Sequence, residues 1–578
     1  MKGTGNTDMD NNRYVIGVDF GSDSVRAAVV CTNGKIISRG VSFYRRWKMG
    51  LYQHPEKNIF RQHPLDYVES LEECIKEALG SLDKEIVSKI CGIGIDTTGS
   101  TPVPVDIHGT PLALLKEFAE CEDAMFHLWK DHSAAREAEE LNHIFMSGTK
   151  ENYTRYQGQY CSEWYWAKIL HTIRRNPKIK QKAYTWIEHC DWIVGLLTGK
   201  SAPQTMYHST CAAGHKALWH SAWNGLPSSE CLAMADTYLA EVAERYGRTP
   251  LPATTNTGNL NDEWAKRLGL SGQVIVSGSS FDAHAGAIGA GIRRGTMVCI
   301  LGTSAVDLLI EKPENLFGKN LVSLCGQAEN SIIEGYTGIE TGQAAFGDIF
   351  AWYKKILLWP LKQASKKLSG EKKCLCDELA ENMENQLLEW LQEEAEKLPE
   401  EPFPIALDWF NGRRYPDTDD YQMGSISQLS LGANAPHVYR GLVFGAVCGL
   451  RRLVDGFEKA GLEIREIIAV GGIARKSSYI MQMMASVLEK NVKIPDTDQI
   501  CALGAAINAA VAAGQYPDIE TALRYMAAKP FREFTPDAEK CNIYRQQYEK
   551  YRTLADMDGD YRLSLIHISE PTRRVVLW

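Results

Sequence analysis

Two short turns rich in glycine and hydroxyl residues could bind an anion such as a phosphate group. They comprise Gly21, Ser22, Asp23 and Ser24 in the first turn and Gly302, Thr303 and Ser304 in the second. Each turn lies between two apolar runs typical of β-strands, which predicts two β-hairpins. Backbone N–H groups and hydroxyls in such turns can donate to an anion without obstruction by large side chains. A single turn of this kind is usually only a tight turn, but two at equivalent places in the chain favour a common role.

Three aspartates follow predicted strands, at positions suited to metal binding or acid–base chemistry. Asp19 ends the first strand beside the first turn, and Asp96 ends a third strand, CGIGIDTTGST. Either carboxylate could hold Mg²⁺ through water, or could only stabilise a turn. Asp282 stands between a strand and a helix of small residues, where it is either a helix N-cap or a general base for a substrate hydroxyl.

Other segments could hold a nucleotide base or a sugar. Gly471 and Gly472 lie between a strand and a helix, where they would admit a flat base or simply a close helix–strand contact. Polar and aromatic residues suited to sugar hydroxyls and C–H faces occur in LWKDH (128–132), AGHKALWH (213–220) and GIETGQAAFGD (338–348). Trp164 and Trp166 are instead predicted to be core residues of a helix. The run EHCD (188–191) has metal-ligand residue types, but neighbours on one element cannot all face one ion.

Strands alternate with helical stretches along the chain, which predicts an α/β fold. A hairpin with a polar turn, followed later by a strand that ends in glycines, occurs once in each half. This indicates a duplication, with a first domain at 13–290 and a second at 291–555. The charged stretch 370–400 is predicted to be a helical insertion on the surface. Residues 564–578 continue neither a helical nor a strand pattern, so they are predicted to be a non-native tail.

The composition is that of a globular protein and argues against several classes. The 578 residues (64.5 kDa) are 44% hydrophobic and 23% charged, and no apolar run reaches the ~18 residues of a membrane helix. A net charge of -9 without a long basic stretch argues against nucleic acid or a membrane as partner. The polar start and 15 dispersed cysteines predict a soluble cytoplasmic protein with reduced thiols. P-loop and Rossmann motifs are absent from the sequence.

Several of these segments together resemble the FGGY carbohydrate kinases. They are GVDFGSDSVRAAVV, GIDTTGSTPVPVD, LWKDHSAAREAEE, AGHKALWH, SFDAHAGAIGAG, LGTSAVDLLI, GIETGQAAFGDIFAWY, LDWFNGRR and AVGGIARKS. The resemblance runs from about Tyr14 to about Tyr551. It implies two actin-like (ribonuclease-H-like) ATPase domains with an interdomain cleft, which agrees with the duplication.

The resemblance also implies roles for individual residues. Asp282 matches the catalytic base, Asp19 the magnesium position, and the two turns the two phosphate motifs. The implied ATP contacts are Gly21, Ser22, Ser24, Gly302, Thr303, Ser304, Gly471 and Gly472. The implied sugar contacts are Trp129, Lys130, Lys216, Asp282 and Glu340. Lys130 is a point of distinction, because related D-ribulose-type members tend to have methionine there.

The activity implied by the resemblance is ATP- and Mg²⁺-dependent phosphorylation of the 5-hydroxyl of L-ribulose, in arabinose catabolism. The resemblance is also compatible with a homodimer. Two alternatives stay open. The first is a kinase of the same family for D-ribulose, xylulose or a pentitol such as ribitol. The second is a nucleotide-switched binding protein without catalysis, which a sugar-dependent ATPase rate would distinguish.

Overall fold

The structure, a computed structural model, describes residues 13–321, 324–416, 418–419 and 421–569, with side chains as far as residue 557. The strands in this part of the chain are β1 (Tyr14–Phe20), β2 (Ser24–Cys31), β3 (Ile36–Phe43), β4 (Gln53–His54), β5 (Ile59–Gln62), β6 (Ile90–Thr97), β7 (Pro102–Val105), β8 (Phe126–His127), β9 (Thr185–Glu188), β10 (Asn256–Asn259), β11 (Ile275–Phe281), β12 (Thr296–Leu301), β13 (Ala305–Glu311), β14 (Gly326–Glu329), β15 (Thr337–Gln343), β16 (Ile405–Ala406), β17 (Ile426–Ser427), β18 (Glu466–Val470), β19 (Asn491–Pro495) and β20 (Pro530–Phe534).

The helices of the first 300 residues are α1 (Arg45–Lys48), α2 (Pro64–Gly80), α3 (Lys84–Ser88), α4 (Ala135–Ser147), α5 (Tyr165–Arg175), α6 (Pro177–Lys182), α7 (His189–Thr198), α8 (Thr210–Ala217), α9 (Ser229–Ala233), α10 (Thr237–Glu244), α11 (Asp262–Leu268) and α12 (Asp282–Gly289). Those that follow are α13 (Pro313–Leu316), α14 (Gly347–Lys367), α15 (Gly370–Lys397), α16 (Ala435–Lys459), α17 (Gly472–Lys476), α18 (Ser478–Leu488), α19 (Ile500–Ala512), α20 (Ile519–Met526) and α21 (Ala538–Ser569). None of the helices in the described residues is both long and apolar enough to cross a membrane.

The chain forms two compact units that interleave along the sequence. The first contains the residues up to Val298 together with Leu308–Glu340 and Pro495–Pro530. The second contains Cys299–Asp307, Thr341–Ile494 and the residues from Phe531 onward. The domain ranges 13–290 and 291–555 remain a prediction.

Two mixed sheets carry the α/β architecture, and the predicted fold class is confirmed. One has six strands in the order β10-β11-β6-β1-β2-β3, and the other has seven in the order β14-β15-β13-β12-β18-β19-β20. The strand order β6-β1-β2-β3 in the first sheet corresponds to β18-β12-β13-β15 in the second. In the first, the hairpin β1–β2 lies next to the later strand β6, and in the second the hairpin β12–β13 lies next to the later strand β18. This repeated order supports the predicted duplication.

Glycines allow helix α19 to pack directly on the six-stranded sheet. A methyl group on Gly17 of β1 would lie 1.7 Å from the Ala502 carbonyl oxygen, and one on Gly94 of β6 would lie 2.0 Å from that of Ala505. On the other face, apolar side chains of β1 and β2 pack with α2, where Tyr67 and others are fully buried. The sheet is therefore covered on both faces, which explains the nearly continuous apolar sequence of its central strands.

Most of the predicted elements are present, but the chain end differs. The charged stretch forms α15, and many of its side chains are exposed, as predicted. Helix α21 continues past Ser564 to Ser569, although the sequence predicts no helix there. The expected interruption near Ser564 is therefore wrong for the described residues, and Gly559, earlier in the same helix, does not end it either. That residues 564–578 are a non-native tail stays a prediction. The rest of the predicted tail, 570–578, lies outside the described residues.

Candidate active site

Three neighbouring strands of the first unit bring carboxylates to one edge of their sheet. Strands β1 and β11 both run parallel to β6, with Asp19 opposite Asp96 and Asp96 opposite Ser280. Asp282 follows two residues after Ser280 as the first residue of α12. The carboxyl ends of strands are the usual place for ligand sites in open α/β sheets. Asp19, Asp96 and Asp282 therefore share the edge at which chemistry is expected.

Asp282 is poised to accept a proton near neutral pH. Its side chain is partly buried, and its Oδ1 accepts the Ala283 N–H at 2.7 Å. Burial, together with the negative charges of Asp19 and Glu340, raises the pKa of Asp282 to about 7. A general base is most effective when its pKa lies near the working pH, because it is then partly deprotonated and still basic enough to take a proton.

Asp19 and Asp96 form a pair of buried carboxylates on adjacent strands. Asp19 Oδ2 accepts a long hydrogen bond from Arg26 Nη1 at 3.3 Å, while burial raises the pKa of Asp19. The oxygens of Asp96 have no hydrogen-bond partner among the described residues. Burial and the charges of Asp19 and Asp282 hold the pKa of Asp96 well above its ordinary value. Such a pair suits a divalent cation, which would relieve the repulsion between the carboxylates.

Lys216 and Glu340 form an ion pair in the same unit. Lys216 is in α8 and Glu340 in β15, and the ammonium donates to Glu340 Oε1 at 2.9 Å. Burial lowers the pKa of Lys216, but the Glu340 carboxylate more than offsets this, so the pKa lies above its ordinary value. The Lys216 Nζ also lies 5.1 Å from the ring centre of Trp164. Trp164 is only partly buried, which differs from its predicted core position, whereas Trp166 is fully buried.

The LWKDH segment lies against the first turn. The Trp129 indole donates from Nε1 to Ser22 Oγ at 2.9 Å. The Lys130 Nζ lies 5.1 Å and 4.7 Å from the ring centres of Trp47 and Phe60, and burial lowers its pKa. This places two residues predicted for the sugar beside a turn predicted for phosphate.

Part of the donor capacity of the first turn is used within the turn itself. The Gly21 N–H donates to the Ser24 carbonyl at 3.0 Å. The Ser24 hydroxyl is buried and donates to Asp23 Oδ1 at 2.9 Å. These groups stabilise the turn, so Ser22 is the member of the predicted set whose hydroxyl lies nearer to solvent.

The second turn, in the second unit, is more open. Gly302 and Thr303 are exposed, and their carbonyls accept N–H groups at the start of α14, from Gly347 at 3.1 Å and Phe346 at 2.8 Å. Neither the Thr303 nor the Ser304 hydroxyl forms a hydrogen bond with a described residue. Both hydroxyls are thus available to an anion.

Gly471 and Gly472, also in the second unit, differ in whether the surrounding structure leaves room for a side chain. Gly471 has φ 105°, and a methyl group there would lie 2.5 Å from the Leu301 carbonyl oxygen. At Gly472 a methyl group would meet no atom within 4 Å. Packing therefore requires the first glycine, whereas only the second leaves open space for a ligand.

Sequence reasoning missed a buried lysine that joins two loops of the first unit. The Lys168 ammonium donates to the carbonyls of Ser100 at 2.7 Å and Leu128 at 2.9 Å. Burial is the main cause that lowers its pKa to about 8. Glu188 accepts hydrogen bonds from the Ser100 hydroxyl and, at 2.8 Å, from the Thr101 N–H. A lysine in an amphipathic helix usually faces solvent, so the sequence contained no indication of this role.

The four residues of the EHCD run do not share one site, as expected for neighbours on one element. Glu188 is bound to the Ser100 loop, His189 stacks on Tyr67 with ring centres 3.7 Å apart, and Asp191 accepts the Ser209 N–H at 2.9 Å. These residues do not converge on one point.

The sequence of this chain matches the two domain models of one enzyme family. Residues 14–289 match the N-terminal domain, and residues 297–513 the C-terminal domain, of the FGGY family of carbohydrate kinases. The chain is an FGGY carbohydrate kinase. The predicted family and the sugar-kinase class are therefore confirmed.

Individual relatives cover nearly the whole chain. A ribulokinase from Vibrio parahaemolyticus is 39% identical over 547 residues, 94% of this chain and 96% of its own. A ribulokinase from Shouchella clausii is 34% identical over 562 residues, 95% of each chain. Among solved structures, a xylulose kinase from Rhodospirillum rubrum has a TM-score of 0.75 at 19% identity, covering 95% of this FGGY kinase and 99% of its own chain. A gluconate kinase from Lactobacillus acidophilus has a TM-score of 0.73 at 16% identity, covering 95% and 98%.

Proposed function

We propose that this FGGY kinase phosphorylates the 5-hydroxyl of L-ribulose with ATP, which is ribulokinase activity. The observation that carries the proposal is Asp282, a partly exposed carboxylate whose pKa is about 7. It lies in the same unit as the Lys216–Glu340 ion pair. Relatives that are called ribulokinases, at 39% and 34% identity over almost the full chain, support this sugar over others in the family.

In the proposed reaction Asp282 removes the proton of the sugar hydroxyl. Its Oδ1 already accepts the Ala283 N–H, so Oδ2 is the oxygen assigned to the incoming proton. The hydroxyl oxygen forms a bond to the γ-phosphorus of ATP as the bond to the bridging oxygen breaks, and ADP leaves. Lys216 and Glu340 offer a donor and an acceptor for other sugar hydroxyls. Trp129 and Lys130 are proposed as further sugar contacts.

Magnesium fits the carboxylates of the first unit. Asp19 and Asp96 are adjacent and buried, and the Asp96 oxygens have no hydrogen-bond partner among the described residues. When bound with ATP, Mg²⁺ would neutralise phosphate charge. The two turns and Gly472 are proposed as ATP contacts, whereas Gly471 is needed for packing. A cytoplasmic location and a homodimer remain predictions.

The experiment is a coupled assay of ADP release with L-ribulose, D-ribulose, L-xylulose, D-xylulose and ribitol in parallel. We expect the highest kcat/KM for L-ribulose, and a phosphorus NMR signal from a 5-phosphate product. A preference for another sugar would keep the kinase mechanism and reject the assigned substrate. ATP turnover that none of the sugars stimulates would reject the proposed kinase reaction and favour a nucleotide switch.

A further inference from the structure

A buried histidine follows the proposed base by two residues and lies beside the proposed sugar-binding ion pair. His284 is in the first turn of α12, two residues after Asp282, and its side chain is fully buried. Neither ring nitrogen has a hydrogen-bond partner among the described residues. A buried polar group without a partner costs free energy, so its presence calls for a functional or structural explanation.

The Glu340 carboxylate lies beside this ring. His284 Nε2 lies 3.5 Å from Glu340 Oε2, slightly beyond a normal hydrogen bond. The other oxygen, Oε1, is held by Lys216 at 2.9 Å. The two oxygens of Glu340 therefore face different neighbours, the ammonium on one side and the imidazole on the other. Hydrogen bonds in active sites without substrate are often long and shorten when substrate binds.

Burial favours a neutral His284 ring that donates one N–H and outweighs the Glu340 carboxylate, which acts in the opposite direction on the pKa of His284. Burial lowers the pKa of His284 to about 4, with Lys216 acting in the same direction. A neutral imidazole has one N–H, and the carboxylate oxygen beside Nε2 accepts hydrogen bonds only. Glu340 itself stays ionised, because the Lys216 ammonium, which also donates a hydrogen bond to it, offsets the effect of burial and keeps the pKa of Glu340 below its ordinary value.

We propose that His284 is a positioning residue that holds the Glu340 carboxylate for the sugar and thereby contributes to the choice between sugar epimers. This rests on the proposed function. When a sugar hydroxyl binds Glu340, the Nε2–H of His284 fixes the orientation of the carboxylate plane. Epimers differ in the placement of one hydroxyl, so a carboxylate that can rotate discriminates less between them.

A metal ion is the competing explanation for the same residues. His215, His284 and Glu340 have donor atoms that all lie within 4.8 Å of one another, a set that zinc uses in catalytic sites. However, a cation there would lie beside the Lys216 ammonium, which already neutralises Glu340. His215 is also engaged, with its Nε2 3.1 Å from Ser331 Oγ. The electrostatics therefore favour a positioning role.

Two amides of different length test the proposal. The side-chain nitrogen of glutamine can occupy a place close to that of histidine Nε2, whereas the asparagine amide is too short to reach Glu340. We expect His284→Asn to raise the sugar KM about tenfold and to reduce the kcat/KM ratio of L-ribulose to D-xylulose by a similar factor. His284→Gln should restore both values to within about threefold, the ATP KM should not change, and His108→Asn, at an exposed histidine, is the matched control.

The outcomes are distinct. Equal effects of asparagine and glutamine, in variants whose thermal unfolding matches the wild type, would overturn the proposal, as would an unchanged sugar KM in both. Binding of Zn²⁺ alone by calorimetry, abolished in His284→Asn and competitive with sugar, would replace it with a metal site. If no sugar is turned over, the proposed function fails, but the inference about His284 can still be tested. Calorimetric titration of L-ribulose into the wild type, His284→Asn and His284→Gln then supports the inference if asparagine weakens binding and glutamine preserves it.

Discussion

Replacing Asp282 with asparagine tests the role of this carboxylate in both chemistry and stability. Asparagine keeps an oxygen that can accept the Ala283 N–H and has nearly the same volume, so the start of α12 should be preserved. It cannot accept the hydroxyl proton. We expect kcat to fall roughly 10²–10⁴-fold, the usual contribution of a general base, while the Kd values of sugar and ATP change little.

The same substitution should stabilise the protein in a pH-dependent way. The folded-state pKa of Asp282, about 7, lies above the ordinary value of 3.8, so the folded state retains the proton over that interval. Stability is therefore lost as pH rises from about 4 to about 7. The shift corresponds to about 4 kcal/mol at most. Solvent screening at a partly exposed site reduces this, and we expect Asp282→Asn to gain about 1–2 kcal/mol at about pH 8 and almost nothing at about pH 4.

The assay combines turnover with thermal unfolding at the two pH values. Asp262→Asn is the matched control, because Asp262 is an exposed aspartate at the start of α11 in the same unit. For the wild type, kcat should rise with pH and level off above about pH 7. Near wild-type turnover in Asp282→Asn would remove this residue from catalysis. A stability change that is equal at both pH values would refute the assigned pKa.

Three further predictions concern the other site residues. Lys216→Met should raise the sugar KM, as measured by steady-state kinetics. It should also lower the thermal stability measured by scanning calorimetry, because Glu340 loses its neutralising partner. An unchanged sugar KM together with unchanged thermal stability would contradict the role of the ion pair. Gly471→Ala should destabilise the protein by several kcal/mol in urea unfolding, since its methyl group meets a carbonyl oxygen at 2.5 Å, whereas Gly472→Ala should leave stability unchanged and weaken ATP binding. Asp19→Ala should shift the Mg²⁺ titration of activity to higher concentration, and an identical titration would argue against a magnesium role.

Local patterns in the sequence predicted much of the fold correctly. The apolar runs on either side of Gly21–Ser24 form the antiparallel pair β1–β2, with Tyr14 opposite Cys31. The glycine-ended strand before Gly471 is β18. These elements depend on alternation and turn chemistry over about ten residues, which is information that a single sequence contains.

Other features could not be predicted, because they depend on residues far apart in the chain. The segment 495–530 belongs to the first unit although the second unit's residues 341–494 separate it from the rest of that unit in sequence. The sequence around Lys168 is typical of a solvent-exposed lysine, yet in the folded chain its ammonium is buried and donates to two loop carbonyls. Trp164 is in a helical pattern typical of a core, yet it stays partly exposed beside Lys216.

The amino-acid sequence was enough to identify the family, the order of the strands and turns along the chain, and the residue types available for phosphoryl transfer. It placed Asp282 after a strand, and Asp19 and Asp96 at the ends of two others. The folded chain was needed to show that Lys216 and Glu340, 124 positions apart, form an ion pair, and that the pKa of Asp282 is about 7. The distances between charged groups and the loss of solvent around them are fixed only when the chain packs. These two quantities set the strength of the charge interactions and the pKa values of the site.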